Sequence, residues 1–137
     1  MIYLLDTHTL WHHASDGDGL SALAAIRLDE AGIEDLCILD VSLYELARHM
    51  AVGRIEVDDP HHALATIEKS YPILRSNAAI AWQSASLDWP KRNGRGQHLD
   101  PADRAIFAAA ILHSLTVVSA DKEMHAHAPT AGVSLLW

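Results

Sequence analysis

The chain holds a single cysteine, Cys37, among 137 residues. That excludes an internal disulfide framework and any zinc site built from cysteines. Cys37 lies in the apolar run Leu36-Cys37-Ile38-Leu39, where a buried, inert thiol is expected. Long hydrophobic runs are missing as well, and no apolar window approaches the length of a membrane span. No basic stretch precedes the first apolar residues, so a signal peptide is not expected. These absences point to a reducing cytoplasm. Repeats, low-complexity tracts and linker-like stretches are also absent. The length suits one domain, residues 1–137, with a core of its own.

Positive charge is scarce. Ten lysines and arginines face 18 acids, a formal net charge of -8. A protein that grips nucleic acid by its overall charge would not look like this. A local basic patch working with a bound cation stays open, and ten histidines soften the charge argument below neutral pH.

What is present is a regular alternation. Ile2-Tyr3-Leu4-Leu5 reads as a buried strand ending at Asp6, with a helix over Thr7 to His13. A helix over Ser21 to Ala31 stops at Gly32, and Leu36 to Val41 reads as the second strand. Ser42 and Glu45 fit the Ser-x-x-Glu capping box of a third helix that ends near Gly53. Asp58-Asp59-Pro60 starts a helix over about His61 to Ser70, and Tyr71-Pro72-Ile73-Leu74 follows as a weak strand because of its proline. Ser76 to Leu87 reads as a helix, with Ala79, Ile80, Ala81 and Ala85 suited to close packing. Trp89 to Gln97 has turn and basic residues without apolar period. Asp100-Pro101-Ala102-Asp103 opens a small, apolar helix with Asp100 as N-cap and Pro101 at the first position. Leu115 to Ser119 is the clearest strand, a short helix covers Lys122 to His127, and Val133 to Leu136 forms the last strand. Short apolar strands alternating with helices predict an α/β fold, a three-layer α/β/α sandwich around a mostly parallel sheet. In such a sheet, sites gather at the carboxyl ends of the strands.

Asp6 and Asp121 fall just past predicted strands, and Glu45 and Asp103 in the first turns of helices starting at the same edge. Each has a plain structural alternative. Asp6 suits a cap for the first helix, Glu45 half of a capping box, Asp121 the start of a short helix, and Asp100 is a cap before it is a ligand. Together, acids from separate segments converging on one volume repel one another and lower stability unless something positive joins them. A hard divalent cation, Mg²⁺ or Mn²⁺, takes oxygen ligands of this kind. It can orient a water, ease its deprotonation and offset charge building on a phosphodiester.

The ordered set Leu4-Leu5-Asp6-Thr7-His8-Thr9-Leu10-Trp11, Ser42-Leu43-Tyr44-Glu45-Leu46-Ala47, Asp100-Pro101-Ala102-Asp103-Arg104 and Val117-Val118-Ser119-Ala120-Asp121, with Gly53-Arg54-Ile55 after the second, resembles the PIN-domain nucleases. Within them it is similar to the VapC-like toxins of bacterial toxin–antitoxin pairs, over nearly the whole chain. The resemblance implies an α/β/α sandwich and a Mg²⁺- or Mn²⁺-dependent endoribonuclease. It implies that Asp6, Glu45, Asp103 and Asp121 hold metal and activate the attacking water, with Thr7 and Ser119 as hydroxyl neighbours that orient them. It also implies an RNA substrate, a small antitoxin that blocks the acidic groove, and a homodimer. Ser119 stands where the family often has threonine, Met124 where it often has an aromatic residue, and Tyr44 where tryptophan is frequent. These departures touch local packing and leave the acids intact.

Arg48, Arg54, Lys91, Arg92 and Arg95 are the bases expected toward substrate phosphates, and solvated faces are the alternative for the Lys91–Arg95 group. Arg104 adjoins the acids and is a candidate to neutralise them. Other chemistries fail on particular residues. Ser15 to Gly19 begins like a calcium loop but lacks the later glutamate, and His8 and His12 lack the Glu of a His-Glu-x-x-His zinc motif. A phosphotransfer receiver would need adjacent acids after the first strand. The tryptophans Trp11, Trp82, Trp89 and Trp137 are expected as core and interface anchors. The competing function is a non-catalytic RNA- or protein-binding domain on the same scaffold.

Overall fold

The structure, a computed structural model, describes residues 1–88 and 100–137. Five strands form one parallel sheet: β1 (Tyr3–Leu5), β2 (Leu36–Leu39), β3 (Ile73–Leu74), β4 (Thr116–Val118) and β5 (Leu135–Leu136), in the order β3-β2-β1-β4-β5. Leu4 on the central strand lies opposite Cys37 on one side and Val117 on the other. Seven helices are described: α1 (Thr7–Ala14), α2 (Ala22–Ala31), α3 (Val41–Ala51), α4 (Pro60–Ser70), α5 (Ala78–Ser86), α6 (Pro101–His113) and α7 (Lys122–Ala131). None is long and apolar enough to cross a membrane.

Alternation along each strand splits the core into two layers. Leu4, Cys37, Leu39 and Val117 face one side, under Ile80 of α5, Ile106 to Ala110 of α6, and Met124 and Ala128 of α7. Leu5, Leu36, Ile38 and Val118 face the other, against Leu10 of α1, Ala24 and Leu28 of α2, Leu46 and Met50 of α3, and Ile67 of α4. Because strands are covered on both faces, they read as continuous apolar runs rather than alternating ones. The three-layer α/β/α arrangement expected from the sequence is the one observed. Each fully buried Leu or Ile contributes about 1.5–3 kcal/mol by leaving water.

Several boundaries differ from expectation, each for a local reason. β2 ends at Leu39, and Val41 already belongs to α3. Asp40 stands at the helix start without capping it; its carboxylate instead accepts from Ser76 N at 3.0 Å and Ser76 Oγ at 2.5 Å. Ser42 therefore lies inside α3, and the Ser42–Glu45 capping box does not form. In α5 only Ile80 is buried; Ala79, Ala81 and Ala85 are exposed. α7 runs past His127 through Pro129 to Ala131 and is closed by Gly132, whose φ of 72° suits a residue without Cβ. Caps at Asp59, with Pro60 behind it, and at Asp100, with Pro101 behind it, form as their sequences dictate.

Candidate functional site

β1 and its neighbours β2 and β4 end at one edge of the sheet, and the chain turns there into α1, α3 and α7. Asp6 is the first residue beyond β1 and is buried. Its backbone N–H donates to the Val118 carbonyl at 3.2 Å, and Thr9 Oγ1 donates to the same carbonyl at 2.9 Å, which ties the start of α1 to the end of β4. Asp6 Oδ1 caps α1 by accepting from Thr9 N at 2.7 Å, while Oδ2 accepts a short bond from Ser119 Oγ. A carboxylate offers about four acceptor positions, so a capping aspartate keeps lone pairs for a cation. Cap and ligand are compatible roles here.

Ser119 is fully buried; its Oγ also accepts from Asp121 N at 3.0 Å and lies 3.4 Å from Met124 Sδ. One hydroxyl thus joins Asp6 to the turn that sets Asp121. Asp121 Oδ1 caps α7, accepting from Glu123 N at 2.7 Å and Met124 N at 3.1 Å. His125 Nε2 holds the Ser119 carbonyl at 2.6 Å from the far side of that turn. On α3, Glu45 is freed from capping, and Thr7 Oγ1 donates to its Oε1 at 2.5 Å with Ser42 Oγ 3.3 Å away. Thr7 has one proton and gives it to the carboxylate. Asp100 Oδ1 caps α6 through Ala102 N at 2.9 Å, and Asp103 follows in the first helical turn.

These segments converge. Asp6, Glu45, Asp103 and Asp121 line one cavity of about 160 Å³, with Asp100 also on its wall. The electrostatics register the crowding. Asp103 is pushed up to about 7, first by burial and then by the charges of Asp121, Glu45, Asp100 and Asp6. Among the described residues, none of Asp6, Glu45, Asp103 and Asp121 takes part in a salt bridge. The same residues include no group of three His, Cys, Asp or Glu side chains already set around one ion.

The bases divide. Arg48 lines the acidic cavity, three residues beyond Glu45 on α3. Arg54 lines an adjoining cavity instead. Lys91, Arg92 and Arg95 lie outside the described residues, as does Trp89. Arg104 does not pair with the acids: its guanidinium Nη2 donates to the Ser84 carbonyl at 3.0 Å and reaches that of Ala85 at 3.5 Å, closing the end of α5. Trp11 and Trp137 pack against the second core layer, whereas Trp82 is 75% exposed.

His8 and His49, which sequence reasoning did not place in the site, also line the acidic cavity, with ring centroids 5.5 Å apart. His49 was legible in principle. It stands four residues after Glu45 and shares that residue's helical face.

A fold of this topology with acids from four segments at its carboxyl edge defines a class. The PIN domain model matches residues 3–128, and the chain belongs to the PIN domain family. It is 30% identical over 128 residues to Ribonuclease VapC22 of Mycobacterium tuberculosis, covering 90% of each chain. Its fold is similar to that of VapBC2 from Rickettsia felis bound to a promoter DNA fragment (TM-score 0.70, 18% identity, 100% of this chain and 99% of that one). It is also similar to a toxin-antitoxin complex from Klebsiella pneumoniae (TM-score 0.65, 18% identity, 98% and 96% of the two chains).

Proposed function

We propose that this chain is a Mg²⁺- or Mn²⁺-dependent endoribonuclease, the toxin of a VapBC-type toxin–antitoxin pair. The carrying observation is that Asp6, Glu45, Asp103 and Asp121, from four separate segments, line one cavity with no salt bridge to any of them among the described residues; half-buried Asp103 is raised to about 7, first by burial and then by its acidic neighbours. The kinship with Ribonuclease VapC22 and with toxin–antitoxin complexes supports the substrate and the partner. The four carboxylates are hard oxygen donors, the kind such ions take. Such an ion keeps several waters and takes a few carboxylates together with substrate phosphates, a demand that these four side chains could meet.

Asp6, Glu45, Asp103 and Asp121 are the residues that would hold the metal. When bound, it supplies a water of lowered pKa and offsets charge developing on the phosphodiester. The chain's own groups do the positioning. Ser119 fixes Asp6 and the turn before Asp121, and Thr7 fixes Glu45. Asp100 caps the helix that carries Asp103. Arg48, at the cavity wall, is placed for a phosphate, and Lys91, Arg92 and Arg95 are proposed to extend that role.

The test is cleavage of RNA by purified protein with Mg²⁺ or Mn²⁺, with and without EDTA, and for Asp6→Asn. Activity surviving both changes overturns the mechanism. The competing reading, a non-catalytic RNA- or protein-binding domain, draws on the net charge of -8. It requires no Mn²⁺ affinity, so micromolar Mn²⁺ binding that is lost in Asp103→Asn counts against it. The protein acts as one domain in the cytoplasm and as a homodimer, for which exposed Trp82 offers apolar contact area. Sedimentation showing only a 15.0 kDa species would reject the dimer.

A further inference from the structure

Beside the acidic cavity lies a second one of about 530 Å³, and the two share His8 and His49 as a common wall. Trp11, His12, Arg54, Ile55 and Glu56 complete the lining of this second cavity. Its volume lies within the range of sites that take small organic groups. Several features make it more than a surface dimple. His49 is 9% exposed, and its ring centroid stands 5.5 Å from that of His8. His12 is set against the glycine loop that follows α1: a Cβ at Gly19 would stand 2.2–2.4 Å from three atoms of its ring, and one at Gly17 would be 3.0 Å from its Nδ1. The ring therefore lies close over the Gly17 and Gly19 backbone, and a Cβ at Gly19 would make it move. Arg54 brings a fixed positive charge to this wall, and Glu56 is its one acid among the described residues.

We propose that this adjoining cavity is a nucleotide subsite, holding the base and phosphate next to the phosphodiester in the acidic cavity. Imidazole and indole faces offer stacking to any base, and Arg54 offers a charge-assisted contact to the neighbouring phosphate. The site also offers a chain of net charge -8 a place to hold a polyanion, with Arg54 and aromatic faces beside the acidic cavity. The inference rests on the ribonuclease reading and adds to it the place where the strand leaves the cleavage point.

The experiment is fluorescence anisotropy of a short single-stranded RNA with the full chain in EDTA, so that binding is read without turnover. His12→Ala and Arg54→Ala should each weaken binding roughly tenfold, the size of one lost stacking or phosphate contact. Gly19→Ala, which drives the His12 ring from its seat without deleting it, should weaken binding in the same direction. Mn²⁺ affinity by calorimetry should stay at the wild-type value in all three, which separates a lost subsite from a misfolded protein. RNA affinity unchanged in His12→Ala and Arg54→Ala, with Mn²⁺-dependent cleavage intact in the wild type, overturns the subsite alone. A wild-type chain that neither binds nor cleaves RNA overturns the subsite and the ribonuclease reading together.

Discussion

Replacing Asp103 with asparagine should stabilise the metal-free protein. The folded carboxyl titrates at about 7 against an ordinary 3.8, because burial and four acidic neighbours disfavour its charged form. The native state therefore binds the proton more tightly than the unfolded chain. Such a group destabilises the fold progressively as pH rises from about 4 to about 7, and by a constant amount above. This is opposite in sign to a salt-bridged aspartate. The full difference corresponds to at most ~4 kcal/mol, and solvent at this half-buried group brings the expected gain nearer ~2 kcal/mol. For a chain of this size that gain amounts to roughly 5–10 °C in Tm. Thermal melts in EDTA at pH 4 and pH 8 would measure it: Asp103→Asn should match the wild type at pH 4 and melt higher at pH 8. Mn²⁺ at pH 8 should reverse the order, because the wild type gains stability by binding and the variant loses a ligand. Equal melting at pH 8 in EDTA, or a gain of the same size at pH 4, would refute the reasoning.

Further predictions follow from the hydroxyls and the core. Thr7→Val removes the donor to Glu45 and should lower cleavage roughly 10- to 100-fold with the fold retained by circular dichroism. Ser119→Ala strips a partner from buried Asp6 and from Asp121 N, and urea titration should show a loss of about 1–3 kcal/mol. Arg104→Ala removes the cap on α5 and should cost about 1–2 kcal/mol in the same assay, while Mn²⁺ affinity stays unchanged because the guanidinium sits on carbonyls and not on the acids. Phe107→Ala, at a fully buried position in the first core layer, should cost about 3–5 kcal/mol and leave little folded protein at 37 °C.

The sheet was legible because strands buried on both faces leave uninterrupted apolar runs, such as Leu36 to Leu39. Helix starts at Asp59-Pro60 and Asp100-Pro101 were legible because capping chemistry is local. The start of α3 was not, since it turns on a contact 36 residues away: Ser76 occupies the Asp40 carboxylate, so the helix begins without a side-chain cap. That error concealed what Glu45 does. Read from spacing alone it completes a capping box, and only the fold puts Thr7 beside it. Arg104 misled for the same reason, because chain adjacency to Asp103 says nothing about the end of α5 lying within its reach. Convergence of the acids was legible as topology; its electrostatic severity, expressed in Asp103, depends on burial that no spacing encodes.

The lone thiol has a practical use that follows from its place. Cys37 lies on β2 against the central strand, fully buried, with its Sγ–H 3.4 Å from the Tyr3 carbonyl and its pKa pushed by burial up to about 11. A thiol so placed is protonated and shielded, and alkylating reagents reach it only when the middle of the sheet opens. The rate of its labelling is thus a built-in clock for the opening of the sheet, available without mutation and readable by mass.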